Sequence, residues 1–152
     1  MNLLIIFGSK YLYLIAVAIT AISFWYLTKE KKWSATLFGL IDLVMVYFIG
    51  LLAGYLYSNP RPFVSDHVPP LISHAADNGF PSDHTLLVVA LASILYCYNR
   101  TLGFIVFGIA LLIGVSRVFA GIHHWLDIIG SFTIAIAATT IAYQLSKKHL
   151  FI

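Results

Sequence analysis

Apolar runs long enough to cross a bilayer follow one another along almost the whole chain, and this limits the fold more than any other feature. A membrane-crossing helix needs about 20 mostly apolar residues at roughly 1.5 Å each. With 152 residues, 61% hydrophobic and only 10% charged, the chain has room for five such spans, six at most, and none for a separate soluble domain. The expected fold class is therefore all-α: a polytopic membrane helix bundle forming one domain over residues 1–152. Chemistry must then sit in short loops and helix ends. The single cysteine, Cys97, excludes an intrachain disulfide, and a scattered net charge of +3 leaves no nucleic-acid footprint.

The spans are expected near residues 11–27, 34–57, 84–98, 101–115 and 126–145. A cleaved signal peptide is disfavoured, because no basic cluster precedes the first apolar run. Residues 58–83 form the one long polar segment, with all five prolines, and should be a structured loop. Only Asn99 and Arg100 separate the third and fourth spans, which must pack as an antiparallel pair. If the spans alternate, Lys29, Lys31, Lys32, Arg100, Lys147 and Lys148 share one face, against Lys10, Arg61 and Arg117 on the other. Because Lys and Arg are retained inside, this bias places the carboxyl terminus in the cytoplasm. The amino terminus, the long loop and residues 116–125 then lie on the outer face.

Three polar runs meet at that outer face: Arg61-Pro62, Pro81-Ser82-Asp83-His84, and Ser116-Arg117 followed by His123 and Asp127. Two guanidiniums suit an anion such as phosphate, although either could simply anchor a helix at the headgroups. Ser82 or Asp83 is an N-cap candidate that delivers His84 to a helical first turn, where free N–H groups and the dipole favour a phosphate. An ordinary capped helix with an interfacial histidine would read the same way. His123 and Asp127, four apart, share a helical face, so the carboxylate could fix the imidazole tautomer. A metal site is the other reading, and His124 could make the same contact to Asp127.

In order, these runs resemble the three-part signature of the type 2 phosphatidic acid phosphatase superfamily of membrane lipid phosphatases: Arg-Pro, Pro-Ser-x-His and Ser-Arg-x5-His-x3-Asp. The third run fits at every fixed position and selects His123 over His124. The resemblance implies a nucleophilic His123 that forms a phosphohistidine, oriented by Asp127, with His84 protonating the leaving group and later activating water. It implies that Arg61, Ser82, Arg117 and backbone groups around Asp83 hold the phosphate oxygens, with Pro62 and Ser116 completing the substrate-binding runs. No metal and no cofactor enter that scheme. Two positions depart from the pattern. A lysine usual seven residues before the Arg of Arg-Pro is replaced by Gly54, and the usual glycine of Pro-Ser-x-His is Asp83. The second variant is similar to that of bacterial undecaprenyl pyrophosphate phosphatases, which implies a polyprenyl diphosphate substrate and a role in recycling the cell-wall carrier lipid. A carboxylate beside a diphosphate should be paired or partly protonated: Asp83 is expected either to pair with Arg61 or Arg117 or to bond the proximal phosphate in its acid form.

Asp42, deep in the second span and roughly 20 Å from its outer end, is expected to pair structurally with Arg100. Asp66, His67, His74 and Asp77 could line the entrance and receive no catalytic role. The competing functions are a phosphatase for phosphatidylglycerophosphate, phosphatidic acid or lipid A, a metal transporter or metal-binding membrane protein, and a non-catalytic lipid-binding relative. The scattered histidines weigh against the metal readings, and an intact set of candidate nucleophile, acid and orienting carboxylate weighs against the last.

Overall fold

The computed structural model describes residues 2–150, with residues 147–150 as backbone alone. The side chains of Lys147 and Lys148, counted in the charge bias, thus lie outside the described residues. Among the described residues seven helices follow one another: α1 (Asn2–Lys10), α2 (Leu12–Trp25), α3 (Lys29–Leu56), α4 (Pro62–Ser65), α5 (Asp83–Tyr98), α6 (Arg100–Phe119) and α7 (Trp125–Leu150). Lys29–Leu56, Arg100–Phe119 and Trp125–Ser146 are each long and apolar enough to cross a membrane. α1 and α2 together qualify as a fourth span, bent by 45° at Tyr11. The sequence led us to expect helix only from about residue 11, and α1 is the element it missed.

Polar caps set the helix starts. Thr28 Oγ1 accepts from the Lys31 N–H ahead of α3, and Asn99 Oδ1 accepts from the Leu102 N–H ahead of α6 at 3.1 Å. Asn99 is at once the C-cap of α5 and the N-cap of α6, so the pair is antiparallel, as the two-residue link demanded. At this joint Gly103 lies so close to Tyr96 that a Cβ would fall 2.6 Å from the Tyr96 Cα. Small residues of this kind let membrane helices approach closely.

α5 is the central post. Ten of its residues, Thr85, Leu86 and Val88 through Leu95, are buried among α2, α3, α6 and α7, which is why its sequence is apolar all round. The outer helices instead expose large apolar side chains such as Leu51, Leu52, Leu111 and Ile129, the surface a lipid environment accepts. With 16 residues, α5 is about 24 Å long against a hydrocarbon core of about 30 Å.

Asp42 is fully buried and accepts from Thr139 Oγ1 at 3.1 Å. The expected Asp42–Arg100 pair does not form. Arg100 heads α6 and lies over the Tyr96 ring, 5.8 Å from its centroid, where it keeps its charge at the interface instead of carrying it inward.

Candidate active site

The long loop between α3 and α5 is ordered by its own amides. Asn78 Oδ1 accepts from the Asn59 and Phe80 N–H groups, while Asn78 Nδ2 donates to the carbonyls of Gly54 at 2.8 Å and Tyr57 at 3.0 Å. An isolated bridge joins Pro60 to Asn78. This zipper holds Arg61 as the residue ahead of α4, with Pro62 at the first helical position, where its missing N–H costs nothing.

At the other side, α6 ends in a turn through Gly121, whose positive φ of 73° suits glycine. That turn brings His123 back over the bundle just ahead of α7. His123 is 1% exposed, Asp127 0%, Arg117 3% and Arg61 4%. Arg61 Nη1 and Arg117 Nη2 each lie 3.1 Å from His123 Nε2. A guanidinium can only donate, so Nε2 must present its lone pair, and Nδ1 must carry the proton it donates to Asp127 Oδ2 at 3.1 Å. Burial pushes the His123 imidazole below its ordinary range. The bond to Asp127 opposes that shift, and the charges of Arg117 and Arg61 reinforce it. The ring is therefore neutral at pH 7, with the Nε2 lone pair facing two cations.

The remaining donors of the two arginines differ. Arg61 donates from Nε to Asp77 Oδ1 at 2.7 Å and from Nη1 to the Ile122 carbonyl at 2.9 Å. Arg117 donates from Nη1 to the Ser9 carbonyl at 3.1 Å, and its buried Nε has no partner among the described residues. α1 thus has a purpose: Ser9 Oγ bonds the Ser116 carbonyl and Ser9 O holds Arg117. Ser116, expected at the substrate, packs its side chain against Gly8 instead. Ser82 is fully buried, with Oγ 3.1 Å from Thr85 Oγ1 and its N–H donated to Ser131 Oγ. His84 packs edge-on to the Tyr13 ring at 4.8 Å, within the field of Arg117 and His123.

One expectation changes and one alternative closes. Asp83 is exposed and makes no ion pair within 4.0 Å among the described residues. Arg61 takes Asp77 instead, because the zipped loop presents Asp77 to its Nε, while Asp83, in the first turn of α5, acts on Arg117 through its charge without pairing with it. His124 does not compete for the Asp127 side chain with its ring. Its Nε2 lies 3.1 Å from the Pro60 carbonyl, and the Asp127 side chain receives only its backbone N–H. Asn59, Asn78 and Ser131 were missed, and Asp77 was placed only at the entrance without its partner Arg61, since polar residues in a loop or helix carry no signal of their partners. No group of three or more His, Cys, Asp or Glu side chains is placed to hold a metal among the described residues.

Gly54 stands where the family pattern has a lysine, and its carbonyl is held by Asn78. A Cβ there would fall 2.8 Å from the Phe80 carbonyl oxygen. We expect Gly54→Lys to lose about 1–3 kcal/mol of stability by overpacking and to gain no activity. A rise in kcat/KM at unchanged thermal stability in detergent would show instead that the loop has room for the lysine.

Residues 35–151 match the PAP2 superfamily. The chain is 34% identical over 139 residues to undecaprenyl-diphosphatase BcrC of Bacillus subtilis strain 168, covering 88% of this chain and 69% of that one. It is 27% identical over 153 residues to a Bacillus licheniformis protein named bacitracin transport permease protein BcrC, covering 100% of this chain and 75% of its relative. Among solved structures, LpxE of Aquifex aeolicus superposes with a TM-score of 0.70 at 26% identity, over 95% of this chain and 87% of the other. A PAP2 type phosphatidylglycerolphosphate phosphatase from Bacillus subtilis shares the fold, with a TM-score of 0.63 at 23% identity, over 96% and 74% of the two chains. The matched residues take in all three polar runs and every helix that carries them, and the chain belongs to the PAP2 superfamily.

Proposed function

We propose that this membrane phosphatase hydrolyses a polyprenyl diphosphate, undecaprenyl diphosphate foremost, to the monophosphate and inorganic phosphate. The observation that carries the reading is His123, with Nδ1 tied to Asp127 and Nε2 faced by both Arg61 and Arg117. In the first step Nε2 attacks the terminal phosphorus in line with the leaving lipid monophosphate. Asp127 supports the positive charge that the ring acquires. The nonbridging oxygens take over the guanidinium donors that touch Nε2, together with the unpartnered Nε of Arg117. His84, at the first turn of α5, supplies a proton to a leaving group that needs one, and the dipole of that helix favours the phosphate.

The two arginines supply the charge neutralisation that Mg²⁺ gives in other phosphoryl transfers, so the reaction is expected to run without metal. The basic-residue bias supports a site on the outer face of a plasma membrane, where a carrier lipid released in its diphosphate form would be returned to use. The relative named undecaprenyl-diphosphatase supports the choice of substrate.

The test is phosphate release by purified protein in detergent from undecaprenyl diphosphate, phosphatidylglycerophosphate, phosphatidic acid and lipid A, each with and without EDTA. We expect kcat/KM for the polyprenyl diphosphate to exceed the others by at least about tenfold, a difference of about 1.4 kcal/mol in transition-state binding, and to survive the chelator. A preference for any of the other lipids would replace the substrate named here, and loss of activity in EDTA would overturn the metal-free scheme.

A further inference from the structure

His74 belongs to none of the three signature runs, yet the zipped loop sets its ring 6.4 Å from that of His123, with the planes at 76°. Its Nδ1 lies 3.4 Å from the Ala75 carbonyl and 4.0 Å from Asp77 Oδ1. Both neighbours are acceptors, so Nδ1 carries the hydrogen and the lone pair sits on Nε2, at the opposite edge of the ring. Asp77 Oδ1 also receives Arg61 Nε, and Arg61 touches His123. One guanidinium thus links two aspartate–histidine pairs: Asp127 with His123 on the bundle side, Asp77 with His74 on the loop side. Burial, and then the charge of Arg61, push the His74 imidazole below its ordinary range, so it is a neutral base at pH 7. Its side chain is 26% exposed, whereas His84 packs against Tyr13 on the helix side.

The leaving group of a diphosphate is a phosphate monoester, whose second pKa is about 6. It can depart without keeping a proton, so His84 is not obliged to return as a base for the second step. A separate base open to water then has a task. Resting on the phosphohistidine reading above, we propose that His74 is a further catalytic residue, which takes the proton of the water that hydrolyses the phosphoenzyme. The water oxygen bonds to phosphorus as the bond between phosphorus and His123 Nε2 breaks, and that electron pair returns to Nε2. The water proton passes to His74 Nε2 and then to solvent, and inorganic phosphate leaves between the two arginines. Asp77 positions His74 and Arg61.

The experiment is rapid-quench kinetics on the full chain with a polyprenyl diphosphate labelled in its terminal phosphate, comparing wild type, His74→Ala and His74→Gln. We expect first-turnover release of lipid monophosphate to stay within about threefold of wild type while steady-state kcat falls about 10²-fold, the lower range for loss of a general base. Acid-labile phosphoenzyme should accumulate, and added imidazole should restore part of the turnover in His74→Ala alone. Wild-type steady-state turnover in both variants, or an equal loss in both phases, would overturn the role of His74 and leave the phosphohistidine reading standing. Full activity with no phosphoenzyme in any of the three proteins would overturn both.

Discussion

His123→Ala is expected to lower kcat by at least about 10⁴-fold, the scale on which an enzyme loses its nucleophile, while His124→Ala stays within about threefold of wild type. The two residues are adjacent, and the turn after α6 sorts them. His123 is buried with each ring nitrogen committed, Nδ1 to Asp127 and Nε2 to the arginines. His124 is partly exposed and gives its ring to the Pro60 carbonyl, and the bond it makes to Asp127 comes from its backbone N–H, which alanine keeps. Phosphate release from the two purified variants, with their melting temperatures beside it, decides the matter. Loss confined to His124→Ala would move the nucleophile by one residue, and full activity in both would end covalent catalysis by histidine here.

On the residues alone His123 and His124 both stand within reach of Asp127, and it is the resemblance to the family pattern, six residues after Arg117 and four before Asp127, that singles out His123. The apolar runs are legible by themselves. Helices α2, α3, α5, α6 and α7 follow from length and hydropathy, and Asn99 between α5 and α6 forces their antiparallel pairing. What escaped the sequence depends on contacts across distance. Helix α1 is short and its one charge, Lys10, does not mark it as a helix, and its value lies in Ser9 meeting Arg117, 108 positions away. Asp77 and Asp83 look alike as loop-region acids, yet a zipper built by Asn78 brings the first and not the second to Arg61. Asp42 bonds a threonine on α7 while Arg100 lies over the Tyr96 ring, and neither contact has a spacing along the chain that announces it.

Asp127→Asn is expected to lower kcat by about 10³-fold, and the reason lies in counting donors. Asp127 Oδ1 accepts from Asn59 Nδ2 at 2.7 Å, and Oδ2 accepts from the His124 N–H at 2.9 Å and from His123 Nδ1 at 3.1 Å. Three donors converge on two oxygens, which a carboxylate satisfies and an amide cannot. If the new NH₂ replaces Oδ2, it meets the His124 N–H and drives the His123 proton to Nε2, where Arg61 and Arg117 already point donors. The nucleophilic lone pair is then gone, the fault that costs about 10⁴-fold when a catalytic histidine takes the wrong tautomer. If the NH₂ replaces Oδ1, Asn59 can rotate its amide to accept from it and the tautomer survives. The negative charge that should balance a phosphorylated imidazolium is still lost. The second arrangement avoids the clash, so the expected loss falls below the full tautomer penalty. It also fixes the direction of the pH response. Asp127 is the group that holds the His123 pKa up against burial and the two arginines. Without its charge the imidazole stays neutral to lower pH, and the acid limb of kcat/KM should move down while the plateau drops. An acid limb that moved up, or a plateau within threefold of wild type, would mean that Asp127 only packs beside His123 and does not set its chemistry.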